Sequence, residues 1–79
     1  MMETTEILSS LSVGDRGRIV GFKLPPGQKQ RLLEMGLTVG VEFELIRFAP
    51  LGDPLAIKIR GYRLSLRKRE AAGILIARI

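Results

Sequence analysis

The chain has 79 residues, 46% of them hydrophobic and 27% charged, with a formal net charge of +5 and neither cysteine nor histidine. That length leaves room for one domain and one modest core, which excludes a multi-step enzyme. The missing cysteine and histidine exclude a disulfide staple and a thiolate or imidazole metal site, so packing or self-association must supply the stability, which leaves room for a weak homo-oligomer.

Met1 to Glu6 carries the acidic Glu3 and Glu6 and no basic stretch followed by a long apolar run, so no secretory leader is expected. No apolar stretch approaches a membrane span, and the expectation is a soluble, cytoplasmic protein without membrane insertion. Leu8 and Leu11 have the spacing of one helical turn that tucks both leucines inward, with Ser9 and Ser10 available to cap it. Val13-Gly14-Asp15 reads as a tight turn, and Arg16 to Phe22 as a strand interrupted by Gly17 and Gly21, where bends or bulges are expected.

Pro25-Pro26-Gly27 ends that strand, because proline cannot donate to a ladder, and a helix over Gln28 to Met35 follows. In that helix Leu32, Leu33 and Met35 form the inner side, and Gly36 is placed to close it in a left-handed conformation. After the turn Thr38-Val39-Gly40, the segment Glu42-Phe43-Glu44-Leu45 alternates with Phe43 and Leu45 inward. Ile46-Arg47-Phe48 then falls on the other parity, which predicts a bulge near Leu45 and Ile46.

Ala49 to Pro54 is a hairpin connection rich in Pro, Gly and Asp. Leu55, Ile57 and Ile59 alternate with Ala56, Lys58 and Arg60 in a half-buried strand, Gly61 turns the chain, and Leu64 and Leu66 continue the alternation. Arg67 to Ala72 suits one helical turn before Gly73, and Ile74, Leu75 and Ile76 form the last strand, closing the barrel. Five short strands with one or two short helices predict a mainly β fold, a small SH3-like β-barrel. Without repeats or linkers, residues 1–79 read as a single domain with its core at about 8–78.

Chemistry is sparse. Ser9, Ser10, Ser12 and Ser65 have no histidine to act as base, and no Gly-Lys-Ser or Gly-Lys-Thr phosphate loop is present, so no catalytic residue is assigned. Only carboxylates remain as metal ligands, and Glu3, Glu6, Asp53 and Glu70 lack ligand spacing. The expectation is no intrinsic cofactor or metal.

The first half of the chain is nearly neutral, whereas Lys58, Arg60, Arg63, Arg67, Lys68 and Arg69 follow one another without an acid. The simplest reading is a solvated strand face, and the functional one is contact with an acidic protein surface. Nucleic acid is disfavoured because Tyr62 is the only aromatic residue in the segment, too little for a stacking platform. In the Ala49 to Pro54 connection, Gly52 and the prolines suffice to make a turn, but Leu51 at its tip is a large apolar residue of the kind that anchors a partner. The candidate partner-binding residues are therefore Leu51, Gly52, Asp53, Arg60, Tyr62, Arg63, Arg67 and Lys68.

The order Leu11, Gly14, Arg31-Leu32-Leu33-Glu34-Met35-Gly36-Leu37, Gly40, Ala49-Pro50-Leu51-Gly52-Asp53-Pro54, Arg60-Gly61-Tyr62, Leu64-Ser65-Leu66-Arg67 and Glu70-Ala71-Ala72 resembles the ferrous iron transport protein A (FeoA) family across nearly the whole chain. The resemblance implies a small cytosolic SH3-like barrel that acts with the membrane transporter FeoB, whose cytosolic part is a GTP-binding domain, as a helper for which Fe(II) is the partner's cargo. It is also what links the chain to transition metals, since these residues themselves build no metal site. A related barrel ends some metal-dependent transcriptional regulators, which makes a nucleic-acid-binding or regulator-derived barrel the alternative. No helix-turn-helix precedes the barrel elements here, so a stand-alone protein is expected.

Overall fold

A computed structural model describes residues 5–79, which build six strands, two α-helices and a 3-10 turn. In chain order these are β1 (Thr5–Ile7), the 3-10 turn Leu8–Ser10, β2 (Arg16–Phe22), α1 (Pro26–Glu34), β3 (Glu42–Phe48), β4 (Leu55–Ile59), β5 (Tyr62–Leu66), α2 (Lys68–Ala71) and β6 (Ile74–Arg78). One antiparallel sheet runs β1-β6-β2-β3-β4-β5. The leader reading drawn from Met1 to Glu6 falls mostly on residues 1–4, outside the described residues. No described helix is long and apolar enough to cross a membrane.

Six strands replace the expected five. Three residues are too few to display alternation, and β1 forms because β6 offers a partner, with Thr5 opposite Ala77 and Ile7 opposite Leu75. Arg78 then grips the Glu6 carboxylate through Nε at 2.7 Å and Nη2 at 3.2 Å, and reaches Asp15 through Nη1 at 3.1 Å. The hydrogen bond with Glu6, helped by Asp15, holds the Arg78 guanidinium above its ordinary range. The last strand lies between β1 and β2 rather than sealing a ring, so β1 and β5 are left as edges.

The slip in parity after Leu45 is a register shift between Leu45 and Arg47 against β4. In β2 the shift falls between Ile19 and Gly21. Gly17 makes no bulge; a Cβ there would stand 3.0 Å from both the Ala77 carbonyl oxygen and the Phe43 ring, so close packing is what requires glycine.

Helix α1 begins at Pro26, two residues before the expected start, because proline suits the first helical position where no N–H bond is needed. At its other end Leu37 N–H bonds Leu32 O at 3.0 Å and Gly36 N–H bonds Leu33 O at 3.0 Å, a Schellman closure with Gly36 at φ 99°. Leu32 and Leu37, which bracket the closure, are both fully buried. They join Leu8, Ile19, Leu45, Ile57, Ile59 and Ile76 in one continuous core between the helix and the coiled sheet.

Candidate functional site

The candidate residues sit around the hairpin of β4 and β5. Arg60 and Gly61 form its two-residue turn with φ 40° and 85°, the left-handed pair that matches strand twist. Gly61 adopts that conformation freely, and Arg60 is held in it, which leaves its guanidinium exposed at the tip. Tyr62, the first residue of β5, turns the other way and donates its hydroxyl to Met35 O at 2.9 Å. The phenol thereby satisfies a carbonyl at the C-terminus of α1.

At the opposite end of the hairpin, the Ala49–Pro54 connection is closed by Ala49 N–H on Pro54 O at 2.9 Å and Gly52 N–H on Ala49 O at 2.7 Å. Leu51 projects from it with 97% of its surface exposed. Asp53 leaves the same loop to accept the Lys68 N–H at 3.0 Å, so it caps α2 from a distance. Glu70 is buried, accepts the Arg67 N–H at 3.0 Å and pairs with Arg31 of α1. These bonds place Leu51, Asp53, Arg67 and Lys68 on one end of the molecule. Asp53→Ala should lower stability by about 1 kcal/mol in urea unfolding, the usual effect of losing a helix cap. An unchanged midpoint would mean that the cap carries no energy.

The structure therefore divides the candidate residues into two groups. Leu51, Gly52, Asp53, Arg67 and Lys68 flank the pair Leu55 and Leu66, whereas Tyr62 belongs to the pair Ile59 and Tyr62, with Arg60 and Arg63 beside it. Four residue steps of strand separate them, roughly 13 Å. Asp53 and Tyr62 also have structural duties, as cap and as latch.

The basic run does not make one uniform face. Pairing register lines up Arg16, Glu44, Lys58 and Arg63 across β2, β3, β4 and β5, so an acid stands among the bases. Arg18 pairs with Glu42 one step away at 3.7 Å. Between these rows and the hairpin turn lies a groove of about 560 Å³ lined by Arg16, Gly40, Val41, Glu42, Phe43, Glu44, Lys58, Arg60 and Gly61. Sequence reasoning missed the groove, because its walls come from three separate stretches of chain that only the pairing register brings together. Val13 and Val39, exposed by 60% and 63% on turns, were missed as well; an apolar residue beside a turn glycine was the available signal. Among the described residues no group of three or more Asp or Glu side chains gathers as a metal site.

The family model of the FeoA domain matches residues 7–78. A curated protein of Porphyromonas gingivalis, an Fe(2+) transport protein A/Fe(2+) transporter FeoB fusion protein, is 39% identical over 67 residues. That match takes in 85% of this chain but spans only 8% of the fusion protein's length. The solution structure of the FeoA protein from Chlorobium tepidum superposes with a TM-score of 0.88 at 36% identity, over 94% of this chain and 70% of that one. The zinc complex of FeoA from Stenotrophomonas maltophilia, described as an SH3 domain protein, gives 0.76 at 24% identity over 90% and 88% of the two chains. The described strands and helices thus have the SH3-like architecture expected of them.

Proposed function

Because the chain belongs to the FeoA family, we propose that it serves ferrous iron uptake as an accessory domain, docking on the cytosolic GTP-binding part of an FeoB-type membrane transporter. The observation that carries this reading is the Porphyromonas gingivalis relative, in which an Fe(2+) transport protein A part and FeoB share one chain. Tethering holds two modules at an effective concentration on the order of millimolar, so a contact too weak to persist between separate proteins is occupied most of the time. The same contact made by a separate domain in the cytoplasm would be transient and open to regulation.

The physical lever is differential affinity. A domain that binds one nucleotide state of the transporter more tightly shifts the population toward that state, by no more than the difference in binding free energy. The proposed anchor is Leu51, exposed at the loop tip, with Arg67 and Lys68 beside it to meet acidic groups. Iron is the transporter's cargo in this scheme, and a chain without histidine or cysteine acts on it through its partner.

The test follows the amide spectrum of the labelled protein as the soluble GTP-binding domain is added in its GDP and GTP forms, with an oligonucleotide in a parallel tube. Saturable shifts with the protein domain, weakened about tenfold or more by Leu51→Asp, are expected. Leu51→Asp should leave the unfolding midpoint unchanged, since the side chain touches little. Saturable shifts with the oligonucleotide alone would overturn the reading.

A further inference from the structure

We propose that the free edge of β5 is a strand-addition site for an extended, acidic segment of a partner protein, one in which carboxylate and apolar side chains alternate. The inference rests on the docking reading for the protein that carries the segment, and it deepens that reading by saying what the partner presents.

The edge is open. Of the two edges of the sheet, β1 has three residues and holds Glu6 in the Arg78 clamp, while β5 has five residues and among the described residues pairs with β4 alone. The two-residue turn makes Ile59 and Tyr62 a hydrogen-bonded pair, so Ile57 with Leu64 and Leu55 with Leu66 are hydrogen-bonded pairs too. Arg63 and Ser65 fall between them, with their backbone N–H and C=O groups directed away from β4. No described backbone group outside the hairpin bonds either residue. These are the groups that an added strand would engage.

The charge chooses the occupant. Arg63 stands beside Lys58 on the outer face, Arg60 lies at one end of the strand, and Arg67 and Lys68 lie at the other. None of these cations takes part in an ion pair among the described residues, whereas Arg18, Arg31 and Arg78 each do. Charge on an edge strand ordinarily keeps copies of a protein from pairing edge to edge, and here it would set Arg63 of one copy against the bases of another. An acidic strand meets the opposite situation, with carboxylates facing Arg63 and with Lys58 one strand further in adding to the positive field. On the other face, half-buried Leu64 packs against the core and offers a neighbour to an apolar residue of the added strand.

A short peptide alternating glutamate with valine and isoleucine, against a scrambled peptide and a lysine-substituted one, tests the proposal with the intact labelled protein. Expected are saturable shifts centred on β5, slowed amide exchange at Arg63 and Ser65, and affinity that falls as salt rises. The Ser65 N–H lies outside the ladder, so Ser65→Pro keeps the native spectrum while weakening the peptide about tenfold. Arg63→Glu weakens it similarly by reversing the facing charge, and serves as the second variant should Ser65→Pro misfold. Wild-type affinity in either folded variant, or no protection on β5, overturns the proposal. If the soluble GTP-binding domain binds wild type and both variants alike, the strand-addition site is wrong and the docking reading stands. If that domain binds none of them while the peptide binds β5, the docking reading is what fails.

Discussion

Ile57→Ala is expected to lower stability by about 3–4 kcal/mol, as removal of a fully buried branched side chain does when its surroundings relax only partly. Ile57 is 0% exposed in the middle of β4, opposite Leu45 of β3 and Leu64 of β5, so three strands line the space it would vacate. The effect is large relative to the whole. A domain of this length holds roughly 4–12 kcal/mol of stability in total, and this one has no disulfide behind its core. Urea unfolding should show the midpoint falling with an unchanged slope. A loss below about 1 kcal/mol would show that the sheet collapses onto the cavity and that the core is softer than its burial implies.

Gly36→Val should cost roughly 3 kcal/mol, from left-handed backbone strain and a displaced hydrogen bond together. Gly36 sits at φ 99°, and a Cβ there would run into the Tyr62 hydroxyl, which is bonded to Met35 O. Tyr62→Phe alone should cost about 1 kcal/mol. In the double variant the valine meets no hydroxyl, so the combined loss should be clearly smaller than the sum of the two single losses. Strict additivity in the same unfolding experiment would mean that the phenol and the helix terminus are energetically independent.

Much of the fold is legible because it is local. The alternation of Leu55, Ile57 and Ile59, the change of parity at Ile46 and the glycine after Met35 each write their structure into a few consecutive residues, and β4, the bulge in β3 and the closure of α1 lie where they point. What escaped is what only pairing creates. Gly17 looks like a bend until Phe43 and Ala77 arrive beside it, and Glu44 is far in sequence from the Lys58 that it faces. The carboxylates looked scattered for the same reason. Glu70 is buried beneath Arg31, and Asp53 caps a helix that begins fifteen residues later.

The family resemblance takes on a physical meaning here. Arg31, Gly36, Tyr62 and Glu70, four of the residues that carry it, fasten α1 to the sheet and to α2. Leu51 and Arg63 fasten nothing in the described structure, and among the candidate positions they are free to serve contact.

In the β1–β6 ladder Thr5 stands opposite Ala77, a spacing of about 5 Å between Cα atoms. The polypeptide therefore enters and leaves this domain through a single doorway, sealed by the Arg78 clamp on Glu6 and Asp15. Such a unit behaves like a bead on a string, since a host chain need supply only one narrow gap to carry it and suffers no strain along its own path. A longer protein carrying such a unit, as the relative in Porphyromonas gingivalis carries an Fe(2+) transport protein A part together with FeoB, would attach to it at that one point.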